Sequence, residues 1–153
     1  MIKSLQQEDC MLLLSQHYVG HLAYIYHNEP FIVPITYFYK NNRIICYSNE
    51  GHKINALRLH GKVALEVAEI KNINSWRSVV AHGVYEELDG CDAKALLHEF
   101  SLGVKEVVMR TERRDLDYIS EFSAKINKDE VAVIFVIHIE EFTGKMRQYE
   151  GTS

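Results

Sequence analysis

A chain of 153 residues, 47% hydrophobic and 25% charged, has the size and composition of one globular domain spanning residues 1–153, with apolar content enough for a substantial core. Its net charge of -4 at pH 7 lacks the positive excess that a binder of phosphate backbones uses for counterion release, which argues against nucleic acid as a partner. The opening MIKSLQQEDCMLLLSQH shows no small-residue cleavage site, no apolar stretch is long enough to span a membrane, and Cys10, Cys46 and Cys91 form no CxxC pair, so a cytoplasmic protein with reduced thiols is expected.

Over residues 8–16, Met11, Leu12 and Leu14 fall within a turn or two of one another, which predicts a short opening helix with Ser4 upstream as its cap. After Gly20, two runs rich in Ile, Val, Tyr, Phe and Thr cover 21–27 and 31–39. Asn28-Glu29-Pro30 joins them as turn chemistry, predicting a β-hairpin. A second turn at Lys40-Asn41-Asn42-Arg43 leads to a third strand over 44–48. The period changes over 51–60, where Ile54 and Leu57 stand three apart and Gly61 follows as a stop, so a short helix is expected there. Val63, Leu65 and Val67 alternate with Lys62, Ala64, Glu66 and Ala68, the pattern of a strand with one wet face over 62–70.

A fifth strand is predicted over 76–88, with Gly83 inside it as a bulge or a point of close approach. Residues 91–102 fit a helix with Leu96, Leu97 and Phe100 on one side. The charged stretch 103–129 is weakly patterned, with a second helix expected around 116–125. In the last strand, over 130–142, the run Val131 to Ile137 is apolar on both faces, as in a strand covered from two sides. Six strands joined by short turns, with two or three helices, predict a mainly β fold: a six-stranded antiparallel barrel, closed or nearly so, because closure removes the edges an open sheet would expose.

Tyr47-Ser48-Asn49-Glu50-Gly51-His52-Lys53 lies between a strand and a helix, so backbone N–H groups at the helix start would face an incoming anion. Ser48 adds a hydroxyl, Lys53 a point charge, and Gly51 allows close approach or a positive φ; together they describe a phosphate cradle. The same stretch also fits an ordinary strand-to-helix turn with a solvated lysine. Pro34, inside the strand pattern Phe31-Ile32-Val33-Pro34-Ile35-Thr36, deletes a ladder hydrogen bond and is expected at a bulge or a ladder edge. Main-chain groups of such a strand can meet the polar edge of a flat heterocycle, or the proline can simply shape a barrel rim. Trp76 opens Trp76-Arg77-Ser78-Val79-Val80 and suits either ring stacking or a dimer contact. The eight histidines form no HExxH or HxH motif, which disfavours zinc, and no GxSxG or P-loop is present.

Taken in order, PFIVPITYFY, YSNEGHKINAL, KVALEVAEI, WRSVVAHGVYEEL and IEEFTGK resemble the FMN-binding split barrels related to pyridoxamine 5'-phosphate oxidase, and in particular their nitroimidazole-resistance branch. The resemblance runs from about Gly20 to Lys145. It implies a homodimer with two FMN molecules in clefts between subunits, acting on a small-molecule substrate. It further implies that Val33, Pro34, Ile35 and Thr36 line the isoalloxazine through backbone groups and that Ser48, His52 and Lys53 hold the phosphate end. Tyr47, Ser78 and Val79 would complete the pocket, with Trp76 and Arg77 as neighbours. The arginine-rich substrate set of true pyridoxamine-phosphate oxidases is not recognisable, so that reaction is not implied. Three functions follow from the resemblance: a flavin-dependent reductase or oxidase of small rings such as nitroaromatics, a flavin-binding module without turnover, and a haem-binding relative of the same barrel.

Overall fold

Two pairs of left-handed residues shape the first half of the chain. His27 (φ 50) and Asn28 (φ 62), then Asn41 (φ 53) and Asn42 (φ 62), form two-residue turns. Both central residues sit at positive φ, a twist that matches the flanking strands. These turns join β2 (Val19–Tyr26), β3 (Glu29–Lys40) and β4 (Arg43–Asn49) into the expected meander. The first turn comes one residue earlier than expected, since Glu29 and Pro30 already pair with Tyr26 and Ile25.

The computed structural model describes residues 1–112 and 132–148. Its remaining elements are β1 (Ile2–Ser4), α1 (Gln7–Ser15), α2 (His52–Leu59), β5 (Lys62–Asn72), β6 (Ser75–Leu88), α3 (Gly90–Glu112) and β7 (Ala132–Gln148). All pairings are antiparallel: β7, β4, β3, β2, β5 and β6 follow one another, and β6 returns to β7. This is the six-stranded barrel expected from six strands joined by short turns, with β1 added as a seventh strand on β7. The ring is split where partners diverge, since β2 and β5 pair only over His21–Ala23 and Ala64–Glu66. Gly83 closes the other side. The β6–β7 register shifts between His82 and Gly83, and a Cβ on Gly83 would lie 2.2 Å from the His138 carbonyl oxygen.

Alternation along the strands sorts the core. Leu22, Tyr24, Ile35, Tyr37, Ile44, Cys46, Leu65, Phe135 and Ile137 belong to one buried cluster, which α1 joins with Cys10, Leu13 and Leu14 and α2 with Ile54, Ala56 and Leu57. On β4 and β7 the opposite residues Ile45, Ile134 and Val136 are buried too, under Leu96, Leu97, Phe100, Val104 and Val108 of α3. That second layer is why β7 reads apolar on both faces.

α3 runs on through Gly103, where the sequence pattern suggested a stop. Gly103 is a packing requirement: a Cβ there would come within 2.5 Å of the Phe38 ring. Helix contact with the barrel outweighs the weak local propensity of glycine. The helix expected at 116–125 lies outside the described residues. Two terminal assignments also change. Gln6, not Ser4, precedes α1, and no side chain caps it. α2 ends at Leu59 with His60 extended after it (φ -144, ψ 105), and Gly61 is not left-handed. Among the described residues, no helix is long and apolar enough to cross a membrane.

Candidate functional site

The site begins where β3 and β4 part. Their pairing covers only Tyr37–Lys40 with Arg43–Cys46. Beyond it, Tyr47, Ser48 and Asn49 stay with Ile134, Val133 and Ala132 of β7, while residues 29–36 of β3 stay with β2. Pro34 pairs in continuous register with His21, so it marks a ladder edge toward β4 and not a bulge. Local sequence supports the parting, because Pro34 has no backbone N–H to donate to a ladder.

Two adjoining hollows occupy the gap. One, of about 270 Å³, is lined by Tyr24, Val33 and the loop Ser48–Lys53. The other, of about 240 Å³, is lined by Pro34, Ile35, Thr36, Tyr47, Phe100 and again Ser48, Asn49 and Lys53. The sequence-predicted Val33, Pro34, Ile35, Thr36, Tyr47, Ser48, His52 and Lys53 are thereby brought together on one open surface. Each hollow is smaller than the roughly 300–1,000 Å³ that usually enclose a small ligand, so one chain supplies a wall and not a closed pocket.

The start of α2 gives this wall its polarity. Its first intrahelical bond runs from the Asn55 N–H to the Gly51 carbonyl at 3.0 Å, and no side chain caps it. The N–H groups of His52, Lys53 and Ile54 therefore lack helical acceptors and carry the positive end of the helix dipole. Gly51 is extended (φ 169), which any residue can adopt; its contribution is space, since a Cβ there meets nothing within 4 Å. Buried Ser48 donates its hydroxyl to the Asn49 carbonyl at 3.0 Å. Half-buried Lys53 has no ion pair among the described residues.

His52 is held by neighbours that motif reasoning missed. Its Nδ1 lies 2.9 Å from the Tyr24 hydroxyl, and the rings of Tyr24, Tyr26 and Phe31 stand 5.8, 4.7 and 4.8 Å from its own. Burial raises the Tyr24 phenol further above its ordinary value, so it stays neutral. The signal for Tyr24 was its parity with Leu22 on the inner face of β2; the signal for Asn49 and Glu50 was only their place beside Ser48. Cys46, wholly buried in β4, has its thiol pushed up by burial against the opposing effect of nearby Lys53, which disfavours the reactive thiolate.

Trp76, Arg77, Ser78 and Val79 are elsewhere. Ser48 pairs with Val133 and Trp76 with Arg147, toward opposite ends of β7. Trp76 and Arg77 border a separate hollow of about 300 Å³ with Glu69, Lys71, Ser75 and Arg147. Arg77 is already engaged, donating to Glu69 at 3.3 Å and to Gln16 at 3.2 Å, while His17 reaches Glu69 at 2.7 Å. Burial raises the Glu69 carboxyl, but hydrogen bonds from His17 and Arg77 outweigh it and hold the group below its ordinary value. Ser78 is half-buried between Ala68 and Lys145, and the Val79 side chain is wholly buried in the core.

Comparison with known proteins agrees with this architecture. A family model described as pyridoxamine 5'-phosphate oxidase matches residues 6–146. An uncharacterized protein of Rhizobium meliloti is 29% identical over 147 residues, 94% of each chain. Among solved structures, an FAD-binding protein from Mesorhizobium loti is similar with a TM-score of 0.75 at 25% identity, over 97% of this chain and 98% of that one. A candidate 5-nitroimidazole antibiotic resistance protein from Bacteroides thetaiotaomicron shares the fold with a TM-score of 0.63 at 16% identity, over 95% and 89% of the two chains.

Proposed function

Because the chain belongs to the pyridoxamine 5'-phosphate oxidase family, we propose that it is a flavoprotein that binds FMN in the cleft between β3 and β4 and serves a small-molecule reductase or oxidase. The observation that carries this reading is the uncapped start of α2, facing open space at Gly51 beside the Ser48 hydroxyl and the Lys53 ammonium. A helix N-terminus with a nearby lysine and room for close approach suits a phosphate dianion. The donor set thus fits the phosphate end of a flavin nucleotide.

The flavin, when bound, supplies the electron-transfer chemistry that no side chain of this site can. The protein's own residues position and enclose. Lys53 and the N–H groups of His52, Lys53 and Ile54 hold the phosphate, and Tyr24 fixes the His52 ring. Val33 to Thr36 offer a ladder edge along which a flat ring can lie. Phe100 and Tyr47 wall its side toward α3.

A homodimer completes the site in this reading. Trp76, Arg77 and Ser78 lie too far along β7 to meet the Ser48 end of their own chain, and a second copy can bring that end to the open wall. Buried Cys10 and Cys46, both free thiols, suit a reducing compartment such as the cytoplasm.

The visible spectrum of the purified protein, followed by anaerobic reduction with a nicotinamide donor and reoxidation by a nitroaromatic, tests the proposal. Flavin bands that bleach and return are expected. A Soret band would give a haem protein, and bound flavin that the donor leaves oxidised would give a module without turnover.

A further inference from the structure

Glu50 immediately precedes Gly51 and borders the hollow at the start of α2. A carboxylate so close to an uncapped helix N-terminus is the obvious internal competitor for that site, since the N–H groups and the dipole attract it as they attract a phosphate. Yet Glu50 does not cap α2. Its two oxygens accept instead from Nη1 and Nη2 of Arg58, at 2.9 and 2.8 Å, from the last turn of the same helix. Arg58 is secured from its other edge: Nε and Nη2 donate to Glu87 of β6 at 2.7 and 2.9 Å, and Glu87 also accepts from the Tyr85 hydroxyl at 2.7 Å. Two forked contacts on one planar guanidinium fix its orientation as a lysine could not.

We propose that Arg58 is a positioning residue of the anion site: by holding and neutralising Glu50, it keeps the start of α2 open to the phosphate of a flavin nucleotide. The inference rests on the reading of that helix start as a phosphate site. Glu50 is the one negative charge within the Tyr47–Lys53 stretch, and a phosphate at the helix start must compete with it. The competing account is an ordinary surface ion pair, which contributes little to anything.

Arg58→Met, which keeps the apolar stem and removes the fork, separates the two when titrated with FMN and with riboflavin, which lacks the phosphate. At low salt the variant is expected to lose about three- to tenfold in FMN affinity, the scale of one uncompensated carboxylate near a dianion in a solvated site. Riboflavin affinity should not change, and the FMN loss should shrink at high salt. Adding Glu50→Gln to Arg58→Met should restore FMN binding, and Glu50→Gln alone should bind FMN at least as tightly as wild type. FMN binding indifferent to Arg58→Met overturns the clamp alone, as does equal weakening of both ligands, or a double variant that stays weak. Equal affinity of the wild-type protein for FMN and riboflavin removes the phosphate site itself, and the clamp with it.

Discussion

Gly83→Ala places one methyl group where β6 closes the barrel against β7. The added Cβ would stand 2.2 Å from the His138 carbonyl oxygen and 2.8 Å from Cγ2 of Ile137. An ordinary carbon–oxygen approach is about 3.3 Å or more, so one backbone must retreat by roughly 1 Å. A flexible side chain could absorb that; a peptide carbonyl in a ladder cannot without straining its neighbours. Overpacking usually costs about 1–3 kcal/mol, and a backbone obstacle puts this site near the top of the range. For a domain of this length each kcal/mol lowers the melting temperature by about 2–4 °C, so a fall of roughly 6–12 °C is expected. Thermal unfolding followed by circular dichroism measures it. A melting temperature equal to wild type would show that β6 and β7 do not close as described.

Pro34→Gly loosens the ladder edge of β3 before ligand binding and is expected to weaken FMN binding more than it lowers the apoprotein's melting temperature, whereas Thr36→Val should be tolerated in both; an early-melting Pro34→Gly with normal FMN affinity would place the ring elsewhere. Glu69, held below its ordinary value against the opposing effect of burial, contributes stability that is present above the ordinary carboxylate range and lost as pH falls through its lowered folded value. The stability gap between wild type and Glu69→Gln should therefore be open near neutrality and close at pH below the ordinary carboxylate range; a gap independent of pH would contradict the ion-pair network. Sedimentation at micromolar concentration should give twice the 17.7 kDa chain mass, and a monodisperse monomer would refute the two-chain site.

The barrel and the grouping of residues at the start of α2 were legible for different reasons. Alternation in β5, the runs rich in β-branched and aromatic residues, and the asparagines at the turns are local signals, and they located the meander and its strands closely. Ser48, Gly51 and Lys53 were legible because a strand-to-helix junction places its N–H groups by geometry alone. β1 was not, since three exposed residues have no period and gain their place only by pairing with Lys145 to Arg147. The reach of α3 past Gly103 was hidden because Phe38 supplies the reason from 65 positions away in sequence. Tyr24 was missed because its hydroxyl meets His52 across the barrel end, a contact between elements that no motif spans. The separation of Trp76 from Ser48 follows from which stretch of β7 each strand pairs with, since Ser48 meets Val133 and Trp76 meets Arg147.

In the proposed function the start of α2, with Lys53, holds the phosphate of a flavin. Titrating wild type and Lys53→Ala with FMN and with riboflavin at low salt tests it most directly. Wild type should prefer FMN, and Lys53→Ala should lose about tenfold or more of its FMN affinity, the scale of one charge-assisted contact of roughly 1.5–3 kcal/mol reduced by partial exposure, with riboflavin binding unchanged. Equal affinities for the two ligands in wild type, or FMN binding unaffected by loss of Lys53, would contradict it.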